Sequence, residues 1–351
     1  MTTITKEFFG KDNASRDIYA YTLTDGEYSA VILDRGGIIK NLFVPNNRGE
    51  KIDVVLGYDT MEEYDKKGGY LSALIGRFGN RIGKGQICVE GVNYQLYCND
   101  RTNHLHGGKN GFDKKIWKAE IIKSENGNER LSLSILSPDG EENYPGNLTV
   151  KVVYSLEDGA LNIEYEAVSD KTTVINLTNH AYFNLDGSDN VLEHLMTMYA
   201  PNMLPTDNEL IPHGDFRATV GTPFDFSNEK TIGAGDVCRA QDPDLACGGG
   251  FDHCMVFDKN RDVSQPYAIV RSEKSGIVMK CYTDMPAVHF YAGNYLNQVG
   301  KGGKKYGRCA GFCLETEALP NNPNVPAYQE YGSSIYESGK VYHFSAKYAF
   351  K

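Results

Sequence analysis

The sequence predicts an all-β fold, and three observations carry that prediction. Apolar and polar residues alternate with period two in one stretch after another. No long apolar stripe of helical period runs through the chain. Glycine (37 residues), together with Pro, Asn and Asp, punctuates the alternating runs, and Tyr is abundant at 23. Many short strands joined by such turns favour a sandwich or a barrel.

In chain order, residues 60–66 are the helical exception, a short helix with Thr60 as its N-cap. Val92, Tyr94 and Leu96 then alternate, as do Leu131, Leu133 and Ile135 against Ser132 and Ser134. Residues 148–156 place Leu148, Val150, Val152, Tyr154 and Leu156 on one face, and 161–167 do the same with Leu161, Ile163, Tyr165 and Ala167. Between them Asp158-Gly159 is a strong hairpin turn. Residues 201–250, rich in Pro, Gly and Asp, predict an extended surface excursion rather than a domain boundary. Ile277, Met279 and Cys281 alternate before a turn at Asp284-Met285-Pro286, and Tyr342, Phe344, Ala346, Tyr348 and Phe350 predict a final strand.

The 351 residues are enough for a large core, and with neither linker nor repeat they are expected to form a single domain, 1–351. A formal net charge of -10 argues against nucleic-acid or anionic-membrane partners, which call for Lys/Arg patches. No apolar window is long enough for a membrane span and no export signal is legible, so a cytoplasmic protein is expected. Its eight scattered cysteines then read as free, buried thiols.

Five stretches could carry chemistry. In 176–185, Asn176, Thr178, His180, Tyr182 and Asn184 share one parity, against Leu177, Ala181, Phe183 and Leu185. One face is polar and aromatic, as a site would be, although His180 could equally be a hydrogen-bonded structural ring. In 76–85 the glycines do not match a nucleotide-binding spacing. Asn80 and Arg81 are instead donors for the oxygens of a polar ligand, while Arg77 reads as a surface arginine beside a turn. In 103–108, His104 and His106 share parity and the following Gly107 and Gly108 would let backbone or ligand come close. Zinc is a rival reading there, without a short-spaced acidic ligand or any Cys-x-x-Cys to support it. Asp252, after three glycines and an aromatic, stands at a loop-to-strand junction where a carboxylate could accept two hydroxyls; His253 reads as structural and faces away from Cys254. Glu315 lies among apolar and small residues, where burial raises a carboxyl's pKa and makes it a usable base. Glu317 shares its parity, but two carboxylates about 7 Å apart along one strand do not support a retaining glycosidase. His289, alternating with Tyr291, could line the same cleft or simply pack.

Together these pieces resemble the aldose 1-epimerase (mutarotase) family, in order and over nearly the whole chain. The resemblance rests on Asn80-Arg81-Ile82, Asn103-x-Leu105-His106-Gly107-Gly108, Asn179-His180-x-Tyr182-Phe183-Asn184-Leu185, Thr222-Pro223-Phe224-Asp225-Phe226, Phe251-Asp252-His253, Phe290-Tyr291-x-Gly293-Asn294 and Leu314-Glu315-Thr316. It implies a β-supersandwich of two large antiparallel sheets with a sugar cleft on a concave face. It also implies Glu315 as general base, His180 as general acid and His106 as a helper at the ring oxygen. Asn80, Arg81, Tyr182 and Asp252 would hold sugar hydroxyls, and His289, in the sugar-lining strand, is expected to join them. The substrate would be a free aldohexose such as glucose or galactose, with no metal or organic cofactor, and the protein a monomer or homodimer. A hexose-6-phosphate 1-epimerase, a sugar-binding protein without turnover and a zinc hydrolase are the alternatives. Three positions depart from the family pattern: Glu317 and His289 stand where Gln is usual, and Pro320-Asn321 replaces Pro-Asp.

Overall fold

The computed structural model describes residues 1–351. It is built from antiparallel sheets with few short helices, and the larger sheets hold nine, five and five strands. The nine-stranded sheet runs Lys118–Lys123, Glu129–Ser137, Leu148–Glu157, Ala160–Ser169, Tyr342–Phe350, Val278–Thr283, Ala268–Arg271, Leu195–Met198, Lys230–Thr231. Its centre is thus the alternating stretches expected from sequence. The hairpin at its middle turns at Asp158 (φ 52°) and Gly159 (φ 71°), two consecutive left-handed residues, as the tightest β-turns require. One face of each central strand feeds a single core of 60 buried residues that runs from Ile4 to Phe350, which is why these strands alternate so cleanly.

A second sheet, Thr3–Lys11 through Asp17–Asp25, Tyr28–Leu33, Ile39–Pro45 and Lys51–Asp53, is a simple meander. It packs across Glu129–Ser137 and Leu148–Glu157. Sequence reading did not single it out, because its first strand is an edge with almost every side chain partly or fully in solvent. The third sheet runs Arg217–Ala218, Asn202–Met203, Asp252–Val256, Ala287–Tyr291, Cys313–Glu317. No helix is long and apolar enough to cross a membrane. The helix Met61–Lys67 is the expected one, with Thr60 and Glu63 forming a reciprocal capping box.

Residues 201–250 are not a surface excursion. They contribute two strands of the third sheet, one edge strand of the nine-stranded sheet and the helices Ile232–Asp236 and Pro243–Gly248. Met203, Phe224, Phe226, Ile232 and Leu245 from this stretch are buried in the main core. Its strands are only two residues long, too short to leave a periodic signal. The eight cysteines are free, but only Cys254, Cys281, Cys309 and Cys313 are buried; Cys88 is exposed and the other three are partly so.

Candidate active site

The third sheet sets the site. Its register pairs Asp252 with Tyr291 and Tyr291 with Cys313, and likewise Cys254 with His289 and His289 with Glu315. Directly paired residues share a face, so Asp252, His289, Tyr291, Glu315 and Glu317 all stand on one side. Met255, Val288, Phe290 and Leu314 alternate to the other side and enter the main core. His253 goes with them, its Nδ1 accepting from the Asp252 backbone N–H at 3.1 Å and its ring edge-on to Phe224.

Opposite this face, two pairs of short strands bring up the remaining groups. Thr178–Asn179 pairs with Leu74–Ile75 and carries the chain into His180 and Tyr182; Arg81–Ile82 pairs with His104–Leu105. Only 178–179 is strand, yet parity persists: Leu177, Ala181, Phe183 and Leu185 are all core. On the polar side only His180 and Tyr182 reach the cavity. Asn176 instead holds the Gly79 carbonyl and the Ala318 N–H, and Asn184 holds the carbonyls of Ser188 and Ala310.

The result is a cavity of about 290 Å³, lined by Asn80, Arg81, His106, His180, Tyr182, Asp252, His289 and Glu315. All eight sequence-named site residues are therefore in one place. His180 Nε2 lies 3.6 Å from Glu315 Oε1, beyond a hydrogen bond but in ionic reach. The His180 ring is sandwiched between Tyr182 (centroids 4.9 Å apart, 20°) and Tyr70 (6.0 Å, 15°), and its Nδ1 meets the Cys313 thiol at 3.4 Å. His106 accepts the Asn80 backbone N–H on Nδ1 at 3.1 Å, so a neutral His106 ring must carry its proton on Nε2. Arg81 donates from Nε to Asp100 at 2.8 Å, and His289 Nε2 lies 2.7 Å from Asp252 Oδ1.

Burial dominates the electrostatics. It lowers His180 to about 4 and drives His106 well below the ordinary imidazole range. It pushes the Glu315 carboxyl, which is 1% exposed, well above the carboxylate range, and the nearby charges of Glu317 and Asp252 push the same way. For Asp252 burial also works upward, but the hydrogen bond from His289 and the nearby charge of Arg81 outweigh it and hold the carboxylate below its usual range. For Arg81 burial works against the charge, yet Asp252 and Asp100 keep it raised. Arg81 is the single cation among the lining side chains.

Two expectations need correction. His104 does not share the cavity with His106: it is fully buried, its Nδ1 2.7 Å from the Tyr97 carbonyl and its Nε2 2.5 Å from the Tyr144 hydroxyl. The chain leaves extended geometry at His106 (φ 50°), which breaks the parity argument. Arg77 is not on the surface but 2% exposed, giving hydrogen bonds to Ser137 and to the carbonyls of Ser137, Pro138 and Pro145. Of the two neighbours expected at the glycines after His106, it is backbone that comes close: a Cβ on Gly107 would lie 1.7 Å from the Gly76 carbonyl oxygen.

Sequence reading also missed Tyr70. It follows Gly68-Gly69 just past the helix, in a left-handed conformation (φ 55°) with no periodicity around it. As for metals, ligand atoms of His106, His180 and Glu315 lie within 4.8 Å of one another, so these three could hold an ion, at the cost of engaging two imidazoles and the carboxyl that face one another across the cavity.

Comparison with known proteins finds the same family over most of the chain. A family profile described as aldose 1-epimerase matches residues 19–349. Galactose mutarotase from Homo sapiens is 38% identical over 335 residues, covering 93% of this chain and 94% of that protein. Aldose 1-epimerase from Escherichia coli is 34% identical, covering 91% of each. The crystal structure of galactose 1-epimerase from Lactobacillus acidophilus superimposes with a TM-score of 0.86 at 26% identity, covering 100% of this chain and 99% of that one.

Proposed function

The chain belongs to the aldose 1-epimerase family, and on that premise we propose that it interconverts the α and β anomers of free aldohexoses by acid/base opening and reclosing of the pyranose ring. Glu315 takes the proton from the C1 hydroxyl as base, and His180 delivers one to the ring oxygen as acid. The C1–O5 bond breaks, C1 becomes the aldehyde carbon, and rotation about C1–C2 presents its other face. Reclosure returns both protons, so the site ends as it began. His106, held with its Nε2–H free, supports the ring oxygen; Asn80, Arg81, Tyr182, Asp252 and His289 hold the remaining hydroxyls. Residues 1–351 act as one domain, consistent with a core that runs from Ile4 to Phe350.

The 3.6 Å between His180 Nε2 and Glu315 Oε1 is the observation that carries this reading. The hydroxyl oxygen and the ring oxygen are both bonded to C1, so the groups serving them must be close neighbours. Burial makes Glu315 a stronger base and His180 a stronger acid than either is in water, which helps each transfer in its turn. The cost is a smaller fraction of sites in which the shared proton sits on the imidazole before sugar arrives. A C1 hydroxyl donating to Glu315 favours the carboxylate and offsets that cost.

The curated relatives named galactose mutarotase make galactose the first sugar to try, with glucose as its comparison. A 6-phosphate is disfavoured, because the one lining cation, Arg81, already pairs with Asp100. The test is polarimetry on freshly dissolved α-D-glucose and α-D-galactose. Glu315→Gln and His180→Asn are each expected to lower kcat by about 10²–10⁴ with an unchanged circular dichroism spectrum. Full activity in either variant would sink the assignment.

A further inference from the structure

Glu317 is the buried carboxyl beside the cavity that the reaction above leaves unused. It stands on the same face of Cys313–Glu317 as the base and is 0% exposed. Its Oε1 accepts from Asn80 Nδ2 at 3.0 Å and lies 3.8 Å from His289 Nδ1, within reach of a small carboxyl rotation. Glu317 Oε2 has no hydrogen-bond partner, and neither has His289 Nδ1. On the far side of that ring, Nε2 must be the donor to Asp252, because an ionised carboxylate can only accept. A neutral ring would then turn a bare nitrogen toward Glu317. Two acceptors facing each other in a dry interior are costly unless one of them carries a proton.

We propose that Glu317 serves as a neutral carboxylic acid, accepting from Asn80 and donating to His289 Nδ1, and so ties together the two sides of the sugar cleft. On one side Asn80 fixes the proton position of His106 through its backbone N–H. On the other, His289 orients Asp252. Glu317 touches no substrate; it is a positioning residue, and its value rests on the cleft being the sugar site proposed above. The charged groups around it divide: Arg81 favours ionisation, while Asp252 and Glu315 oppose it. Cys254 and Tyr342, from two further strands, face it as neutral groups. Burial outweighs these and pushes the carboxyl well above its ordinary range. A neutral acid presents one donor and one acceptor, as an amide does, which accounts for a glutamate standing where the related pattern has glutamine.

Two readouts test this on the full-length enzyme. The first is polarimetric kcat and KM on α-D-galactose. Glu317→Gln, which keeps both hydrogen bonds, is expected within about threefold of wild type, and Glu317→Leu, which keeps neither, at least about tenfold lower in kcat/KM. The second is Tm against pH. A carboxyl raised in the folded state contributes stability that is fully present below its unfolded value and is lost as pH rises through its folded value. The wild type should therefore lose about 3 °C relative to Glu317→Gln between pH 5 and pH 8. Parallel Tm curves, a Gln variant as impaired as the Leu variant, or a Gln variant that does not fold would each overturn the proposal. Should Glu315→Gln prove fully active, the catalytic reading fails, while the Tm curves still decide the state of Glu317.

Discussion

His104 and His106 sit two residues apart and do unlike things, and the difference lies in which nitrogens are already engaged. Both nitrogens of His104 are taken by Tyr97 and Tyr144, whereas His106 gives up only Nδ1 and keeps Nε2 for the cavity. The switch depends on the backbone at 106–107, where both residues have positive φ. Gly107 carries the larger demand: at φ +83° any side chain is strained, and its Cβ would overlap the Gly76 carbonyl. Gly107→Ala is therefore expected to cost more than about 3 kcal/mol, read as a lost or lowered denaturant midpoint, with activity falling alongside. Parity along an ideal strand was legible for Glu315, His289 and Asp252, which lie on real strands of five residues. It misled at His104, because nothing in one sequence announces a left-handed residue other than glycine or asparagine. Asn80 (φ 64°) is the readable case, since asparagine tolerates that conformation.

At the scale of elements, legibility followed length. The strands Leu148–Glu157 and Ala160–Ser169 span ten residues each and betray themselves by alternation; the helix Met61–Lys67 is announced by its cap. Thr60→Ala removes one half of the capping box and is expected to cost about 1 kcal/mol, or 1–2 °C in Tm, while leaving mutarotation untouched because the helix lines no part of the cavity. A two-residue strand such as Arg81–Ile82 has no period to detect, and it surfaced only through the residue types it carries and through resemblance to a family. Thr178–Asn179 is as short, but the parity of 176–185 runs past both its ends and made it legible. Residues 201–250 show the opposite error: turn-forming composition hid a stretch whose Phe224, Phe226 and Leu245 are core.

Across the whole molecule, burial of histidine couples stability to pH. His104, His180, His194 and His253 are each lowered by burial from 6.5 to about 4. A ring depressed in this way contributes stability that is present above pH 6.5 and is lost as pH falls through 4. Raised carboxyls such as Asp34, pushed by burial to about 6, contribute in the opposite sense over the same range. The histidine share is isolated by substitution outside the cavity. His194 only accepts the Leu185 N–H, which Gln can also accept. Between pH 6.5 and 4 the wild type is expected to lose about 4 °C in Tm relative to His194→Gln, measured by scanning calorimetry.

The strand Tyr342–Phe350 lies between Ala160–Ser169 and Val278–Thr283, at the centre of the nine-stranded sheet. Those two flanking strands never touch without it. During synthesis, then, the growing polypeptide must keep two open sheet edges and an apolar interior in waiting until residue 350 has cleared the ribosome. Glu315 and His180 both precede that strand in the chain, and its Tyr348 and Tyr342 hydroxyls reach the Leu314 carbonyl and the Leu177 N–H beside them, so the two walls of the cavity share one late-arriving support.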